Sequence, residues 1–439
     1  MDMKNLMVAD ASVLMPDMTI REHQTIQTAD GKIVEIRPFQ KEDRNAEGKE
    51  WIDGSGKLLM PGLADCHMHT GQQLLKGKIL DELPMIWTRI MLPFESTLTN
   101  EKMELSAKLA ALEMIKSGTT AFMDAGSYHM EAAAEVYAAS GLRGILSAST
   151  MDEKGLPDSI EHTMEEAVRQ TDRLYDGYNG KGNLKVAYSL RSLISCSEDL
   201  ILKAAERSRE RGTLLQAHMN EYPNEINVYL QKKQMRPLEY LESLGILNEH
   251  FISAHSILLS ENEKDILERN QVRVCHCPFS NCGKGVPDTT ALLQRKICVG
   301  LGTDGAAHGG LSLWNEMKIF RSVMNAAWGV PVQNPAVMPA KTILSMATEQ
   351  GYRLMDENGG KIEQGSKADF ITIRLMQPHL YPTGNLVNTL LECAAAGDVC
   401  DCVVEGQILM KDRQVLTLDE EKILAEAAAY MERKDTAGC

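Results

Sequence analysis

Four histidines and one aspartate end apolar segments of this sequence, and together they could bind a metal ion. His67 and His69 form an H-x-H pair, and alternate residues of a strand face the same side. His218, His255 and Asp304 each end a further apolar segment. Three imidazoles with one carboxylate and a water suit Zn²⁺ or Fe²⁺. The pattern therefore predicts one divalent metal ion, with Zn²⁺ preferred over Fe²⁺.

Glu221 is the candidate general acid/base. It follows His218 by three residues in the string HMNE, which places a carboxylate near the metal without making it a ligand. A carboxylate within reach of the attacking water can carry a proton between that water and a substrate. Together with the predicted metal ligands, Glu221 indicates a hydrolase.

Eight apolar, strand-like segments alternate with helical patterns from residue 58 onward. The strand-like segments are 58–67, 119–126, 143–150, 184–191, 214–220, 250–256, 272–278 and 297–305. The helical patterns between them include 100–117, 128–140, 157–177, 197–211, 233–244 and 260–269. This alternation predicts an α/β fold, a (β/α)8 TIM-like barrel, whose catalytic groups stand at the C-terminal strand ends. A doubly wound open sheet is the alternative.

The two ends of the chain resemble each other and differ from the middle. Residues 1–60 show short strands with a hairpin turn at Asp30-Gly31, and strand patterns return at 365–375 and 398–410. We therefore predict a small β-sandwich domain formed from residues 1–60 and 365–439, with a helix over 419–434. Residues 61–364 then form the metal-dependent barrel domain.

The composition is that of a globular chain and disfavours several classes of partner. The chain has 439 residues, of which 46 are basic and 61 acidic, so its net charge is −15. That charge disfavours nucleic acid and anionic membrane surfaces as partners. No secretory signal and no apolar run of about 18 residues is evident. A cytoplasmic homo-oligomer that acts on a small molecule is expected.

The order of these motifs resembles that of the amidohydrolase superfamily, and in particular of its metal-dependent aminohydrolases. PGLADCHMHTGQQLLKG is similar to that group's first-strand block, LPMIWTRIMLPFESTLT to the lid that follows it, and SGTTAFMDAG to its second strand. GKIEQGSKADF resembles the return of the chain into the small β domain. The group includes methylthioadenosine/S-adenosylhomocysteine deaminases, guanine deaminases and triazine hydrolases.

The resemblance implies a role for each matching residue. The implied ligands of one metal ion are His67, His69, His218 and Asp304. Glu221 matches the general acid/base, Asp304 also takes a proton from the attacking water, and His255 matches the histidine that orients this water. Trp87 and Glu95 stand in the block that lines the substrate pocket of the nucleoside deaminases.

Three further residues bear on the substrate. Arg191, in SLRSLISCS, resembles the arginine of guanine deaminases that faces a ring carbonyl, and Gln72 resembles a glutamine there that contacts the base. His308, in DGAAHGG, replaces a commoner small polar residue. The segment PFSNCGKGVPD also departs from the group's usual S-S-N-x-K-L-x-S-G.

The sequence favours a hydrolytic deaminase of an amino-substituted N-heterocycle that releases ammonia. The lid block favours an adenosine-type substrate, similar to methylthioadenosine or S-adenosylhomocysteine. Arg191 and Gln72 favour the alternative, a guanine-type or triazine-type heterocycle that carries an oxo group. Hydrolysis of a cyclic amide, as in hydantoinase-like relatives, and a scaffold without catalysis remain as further alternatives.

Overall fold

The described strands form two parallel sheets at the centre of the fold and one further sheet built from the two ends of the chain. The computed structural model describes residues 5–45, 50–79, 81–82 and 85–436. Residues 1–4, 46–49 and 437–439 of the predicted β domain, and residues 83–84 of the predicted lid block, lie outside that range. The described strands are β1 (Leu6–Leu14), β2 (Ile20–Ala29), β3 (Lys32–Pro38), β4 (Glu50–Asp53), β5 (Lys57–Pro61), β6 (Leu63–His69), β7 (Thr119–Asp124), β8 (Arg143–Leu146), β9 (Leu184–Val186), β10 (Tyr188–Leu190), β11 (Leu215–Met219), β12 (Phe251–His255), β13 (Arg273–His276), β14 (Val299–Leu301), β15 (Asp304–Gly305), β16 (Phe370–Arg374), β17 (Val399–Val404), β18 (Gln407–Lys411) and β19 (Gln414–Val415).

The central strands form a TIM-barrel-like α/β arrangement. Strands β6–β15 lie in two five-stranded parallel sheets, ordered β15-β6-β7-β8-β9 and β10-β11-β12-β13-β14. Only Ala187 separates β9 from β10, and only Gly302 and Thr303 separate β14 from β15, so each pair is one interrupted strand. The parallel pairings therefore lead from β6 through successive strands back to β6. In an open sheet, β6 and β15 would not pair with each other, whereas here they do.

Helices connect the parallel strands and cover their outer side. The described α-helices are α1 (Leu92–Glu95), α2 (Asn100–Ser117), α3 (Met130–Ser140), α4 (Met164–Tyr178), α5 (Glu198–Glu210), α6 (Pro223–Lys233), α7 (Pro237–Ser243), α8 (Glu261–Arg269), α9 (Pro278–Asn281), α10 (Thr289–Gln294), α11 (Ala306–Gly309), α12 (Leu313–Met324), α13 (Ala340–Met346), α14 (Glu349–Leu354), α15 (Leu386–Cys393) and α16 (Glu420–Thr436). Short 3₁₀ and π turns add Lys41–Asn45, Thr70–Leu75, Trp87–Met91, Leu193–Ser195, Asn325–Gly329 and Ala396–Asp398. Within the described residues, every helix is too short or too polar to cross a membrane.

Two of the predicted helices need correction. The helix predicted over 157–177 begins at Met164, because Thr163 caps it and forms a capping box with Glu166. The pattern predicted over 233–244 combines the end of α6 with α7. Gln234 adopts a left-handed conformation that ends α6, and Pro237 then begins α7.

The two ends of the chain form one nine-stranded mixed sheet. Its order is β19-β18-β17-β16-β5-β1-β2-β3, and β4 also pairs with β1. Asp30 and Gly31 both have positive φ, 49° and 73°, as the hairpin turn between β2 and β3 requires. Ile33 of β3 and Ile408 of β18 lie near opposite ends of this order but share one apolar cluster. The sheet therefore curves over a core of its own.

Candidate active site

The five predicted metal-type side chains stand at the C-terminal ends of the parallel strands. His67 and His69 end β6, His218 lies near the end of β11, and His255 ends β12. Asp304 begins β15, opposite the end of β6 in the parallel register. Because the strands are parallel, these ends meet on one face of the barrel, where enzymes of this architecture carry their catalytic groups.

Four of the five side chains converge, and the fifth, His69, lies next to them. One ligand atom from each of His67, His218, His255 and Asp304 lies within 4.8 Å of every other. His69 adjoins this group, because its Nε2 lies 3.1 Å from Nε2 of His218 and 3.3 Å from Oδ1 of Asp304. The structure thus brings together all the residues that the sequence assigned to the metal and its water.

Two of these residues have a backbone conformation with positive φ. His255 and Asp304 have φ values of 65° and 58°, in the left-handed region that residues other than glycine rarely adopt. Such strain is typical of functional sites, where the surrounding structure holds it in place. Gly302 allows the last strand to approach β6, because a Cβ atom there would lie 2.6 Å from the carbonyl oxygen of His67.

Burial keeps the imidazoles of His67, His69 and His218 neutral. Loss of solvation lowers the pKa of His67 to about 3, and it lowers the pKa values of His69 and His218 well below their usual range. A neutral imidazole has a lone pair for a metal ion. Both ring nitrogens of His67 and Nε2 of His255 are buried without a hydrogen-bond partner. A cation among them would satisfy nitrogens that are otherwise costly to bury, so the residues fit a divalent metal.

Two buried carboxylates that the sequence analysis did not identify support the ligand strands. Asp65 accepts hydrogen bonds from the backbone N–H and hydroxyl of Thr303, at 3.0 and 2.6 Å. Asp124 accepts from the backbone N–H groups of Thr70 and Gly126, at 2.9 and 2.8 Å. Burial raises the pKa of Asp65 to about 7 and that of Asp124 to about 6. The sequence could have indicated both residues, because each is a charged residue inside an otherwise apolar strand segment.

Glu221 lies beside the cluster and is held by a lysine. Its Oε1 is 3.7 Å from Nε2 of His255 and accepts a hydrogen bond of 2.5 Å from Nζ of Lys284. Burial raises the pKa of Glu221, but His255 and Lys284 outweigh burial and the net shift is downward. Burial also opposes the charge of Lys284, yet Glu221 and Asp304 raise its pKa overall. Glu221 is therefore a carboxylate at neutral pH, next to a permanent ammonium.

Three of the predicted substrate residues form one buried network. Nη2 of Arg191 and Nε2 of Gln72 both donate to Oε1 of Glu95, at 2.8 and 3.0 Å. Nη1 of Arg191 donates to Nδ1 of His69 at 2.8 Å and to the carbonyl of Gly126 at 3.1 Å. Oε2 of Glu95 and Oε1 of Gln72 are buried acceptors without a partner. A ligand with hydrogen-bond donors would satisfy them.

The remaining two predicted substrate residues, Trp87 and His308, make other contacts. Trp87 begins a π-helical turn and packs in two apolar clusters, one that contains Ala307 and one that contains Tyr128. His308 lies against the histidine–aspartate cluster, with Nε2 3.6 Å from Oδ2 of Asp304. Burial lowers the pKa of His308, although the charge of Asp304 opposes that shift.

Comparison with known sequences agrees with this geometry. Residues 58–409 match the amidohydrolase family, which is well over half of the chain. The chain belongs to the amidohydrolase family. The matched range contains the histidine–aspartate cluster, Glu221 and the Arg191–Glu95 network.

Similar proteins cover nearly the whole chain. A 5′-deoxyadenosine deaminase of Methanosarcina acetivorans is 32% identical over 442 residues, which covers 98% of each chain. A 5-methylthioadenosine/S-adenosylhomocysteine deaminase of Halalkalibacterium halodurans is 34% identical over 421 residues, or 94% of each chain. The crystal structure of a zinc-bound adenosine deaminase from Xanthomonas campestris superimposes with a TM-score of 0.90 at 24% identity, over 98% of both chains. That last likeness supports the barrel fold.

Proposed function

We propose that the protein is a metal-dependent hydrolase that removes the amino group of an adenosine-type nucleoside and releases ammonia. The observation that carries the proposal is the convergence of His67, His218, His255 and Asp304 within 4.8 Å, with Glu221 beside them. The adenosine-type substrate is supported by the deaminases of Methanosarcina acetivorans and Halalkalibacterium halodurans, which resemble this chain over nearly its full length.

The proposed ligands of one Zn²⁺ ion are His67, His69, His218 and Asp304. A Zn²⁺ ion held by these residues would lower the pKa of a bound water toward ~7, which would make that water the nucleophile. Nδ1 of His69 faces Arg191, so its Nε2, which lies 3.3 Å from Oδ1 of Asp304, is the nitrogen that would face the ion.

Three side chains of the chain would move or direct protons. Glu221 would accept one proton of the attacking water and deliver it to the ring nitrogen next to the carbon that bears the amino group. Asp304 would accept the other proton of that water and pass it to the departing amino group, and His255 would orient the water. When the carbon–nitrogen bond breaks, the amino group leaves as ammonia and the oxygen of water takes its place on the ring.

The buried acceptors of the neighbouring network suit a nucleoside. Oε2 of Glu95 and Oε1 of Gln72 have no partner and would accept hydrogen bonds from hydroxyl or amino groups. Glu95 also lines a cavity of about 230 Å³ together with Ser127 and Tyr128, and Trp87 packs against Tyr128 through their shared apolar cluster. We propose that this side of the site holds the sugar of the substrate.

Metal dependence tests the class of reaction. The protein loaded with Zn²⁺ should hold about one ion per chain by elemental analysis and should release ammonia from 5′-methylthioadenosine. Removal of the ion by a chelator should abolish this release, and readdition of Zn²⁺ should restore it. Two tightly bound ions per chain, together with hydrolysis of hydantoin, would favour the cyclic-amide alternative.

A further inference from the structure

Lys284 is a nearly buried cation that joins the two carboxylates of the site. Its side chain is only 10% exposed, and its Nζ donates to Oε1 of Glu221 at 2.5 Å and to Oγ of Ser280 at 2.8 Å. Ser280 in turn donates to Oδ2 of Asp304 at 2.5 Å. One continuous chain of hydrogen bonds therefore runs from Glu221 through Lys284 and Ser280 to Asp304.

The turn that carries Lys284 also carries a side chain that contacts His255. The segment follows α9, and the backbone N–H of Lys284 donates to the carbonyl of Asn281 at 2.9 Å. The side chain of Asn281 contacts Nδ1 of His255 at 3.1 Å. A single short turn thus presents both the lysine that holds Glu221 and the amide that orients His255. This turn is the segment whose sequence departs from the usual string of the related aminohydrolases.

We propose that Lys284 is a positioning residue that fixes the carboxylate of Glu221 at the mouth of the site and keeps it at a set distance from Asp304. The proposal rests on the proton-transfer role proposed above for Glu221. Among the described residues, Lys284 is the group that donates a side-chain hydrogen bond to this carboxylate. Nζ of Lys284 also lies 5.0 Å from the centroid of the Tyr222 ring.

Loss of this contact should slow the chemical step rather than weaken substrate binding. Glu221 follows Asn220, which has a left-handed φ of 52°, so the carboxylate stands on a turn rather than within a strand or helix. Without Lys284 the glutamate can adopt other rotamers, and proton transfer requires hydrogen-bond distance to the reacting atoms. A displacement of about 1 Å can cost about 100-fold in rate.

The test compares Lys284→Met with a matched lysine elsewhere. We expect Lys284→Met to lower kcat for 5′-methylthioadenosine by about 10- to 100-fold, with KM within about 3-fold and zinc content unchanged. Lys284→Arg, which keeps a cationic donor, should recover most of the lost kcat. The control is Lys264→Met, because Lys264 of α8 is 6% exposed and pairs with Glu261 of the same helix and with Asp288, which caps α10. It should keep the parental kcat.

A double variant separates positioning from a merely structural role. If Lys284 acts through Glu221, Lys284→Met should change kcat by less than about 2-fold in a Glu221→Gln background. The proposal would be overturned if the kcat losses of the two single variants multiplied in the double variant. It would also be overturned if Lys284→Met alone kept the parental kcat. A parental rate in Glu221→Gln alone would instead overturn the proposed proton transfer. Lys284→Gln replaces Lys284→Met if the latter does not fold.

A crystal structure of Lys284→Met gives a readout that does not depend on activity. The proposal predicts that the carboxylate of Glu221 leaves its position near His255, where Oε1 now lies 3.7 Å from Nε2. A Glu221 side chain unchanged in that variant would contradict the proposal, whatever substrate the enzyme prefers.

Discussion

Glu221 is the residue whose proposed role is most directly separable from metal binding. It lies beside His255 and Lys284 but outside the group whose ligand atoms converge. Glu221→Gln keeps the size of the side chain and removes its ability to carry a proton. We expect the variant to retain its zinc and to lose about 10² to 10⁴ in kcat for 5′-methylthioadenosine.

The matched control for that substitution is Glu198→Gln. Glu198 is an exposed residue of α5 that pairs with Lys233. This variant should deaminate at the parental rate. If Glu221→Gln also retained the parental rate, or if it lost its zinc, the assignment of proton transfer to Glu221 would be wrong.

The sequence identified most of the polar residues that meet at the site but not their partners. His67, His218, His255 and Asp304 could be predicted because each ends an apolar segment. Lys284 could not, because it follows a short turn whose position depends on how α9 packs. The contact of Arg191 with Glu95 is also a tertiary one, between residues 96 positions apart. The positive charge of Arg191 favoured a substrate with an oxo group. Because Glu95 pairs with Arg191, that charge is already balanced within the protein.

Among the elements, the approach of β14–β15 to β6 depends on the absence of a side chain at residue 302. In Gly302→Ala, the new Cβ would lie 2.6 Å from the carbonyl oxygen of His67 and 2.8 Å from its backbone nitrogen. Backbone must therefore move next to a proposed ligand. We expect a loss of zinc affinity and a destabilisation of about 1–3 kcal/mol, as seen when a packed core is overfilled.

Gly384→Ala is the control, because no atom lies within 4 Å of a Cβ atom at that position. Zinc affinity can be measured by competition with a chromogenic chelator, and stability by urea denaturation. Equal zinc affinity in both variants would show that β6 and β14–β15 need no close approach at this point.

Helix α2 was predicted with the right bounds because the sequence marks both its start and its end. The starts of α4 and α7 were not predicted. The helix predicted over 100–117 is α2 itself, because Thr99 caps its start and Gly118 ends it. The start of α4 was placed too early, since the capping box at Thr163 lies inside a polar segment that also fits a helical pattern. Periodicity alone could not locate either the start of α4 or the break between α6 and α7.

For the whole molecule, a buried ion pair connects the barrel to the terminal sheet. Asp369, which lies just before β16, accepts hydrogen bonds from Nε of Arg143 on β8 at 2.8 Å and from the hydroxyl of Tyr352 at 3.0 Å. The side chains of Arg143 and Asp369 are 5% and 0% exposed. Asp369→Ala would leave a buried arginine short of its main partner, so we expect a loss of about 3–5 kcal/mol in the free energy of unfolding.

An exposed ion pair provides the comparison for Asp369→Ala. Glu210 pairs with Arg207 at 2.6 Å, and its side chain is 49% exposed. Glu210→Ala should cost less than about 1 kcal/mol in the same urea titration. Equal losses in the two variants would mean that Arg143 and Asp369 contribute no more than a surface pair.

The sequence indicated the arrangement of the whole chain because its pattern changes twice. Period-two strands with tight turns near both ends, and alternating strands and helices between them, predict a barrel flanked by one sheet. The division into residues 61–364 and residues 1–60 with 365–439 stays a prediction. The ion pair between residues 143 and 369 could not be foreseen, because a charged residue in an apolar strand does not reveal its partner.

The most direct test of the account is a comparison of two substrates under identical conditions. The Zn²⁺-loaded protein is assayed for ammonia release and product mass with 5′-methylthioadenosine and with guanine. The account predicts that 5′-methylthioadenosine is deaminated to its inosine counterpart, with kcat/KM at least about 100-fold above that for guanine. Deamination of guanine with a higher kcat/KM than the nucleoside, or no ammonia from either, would contradict it.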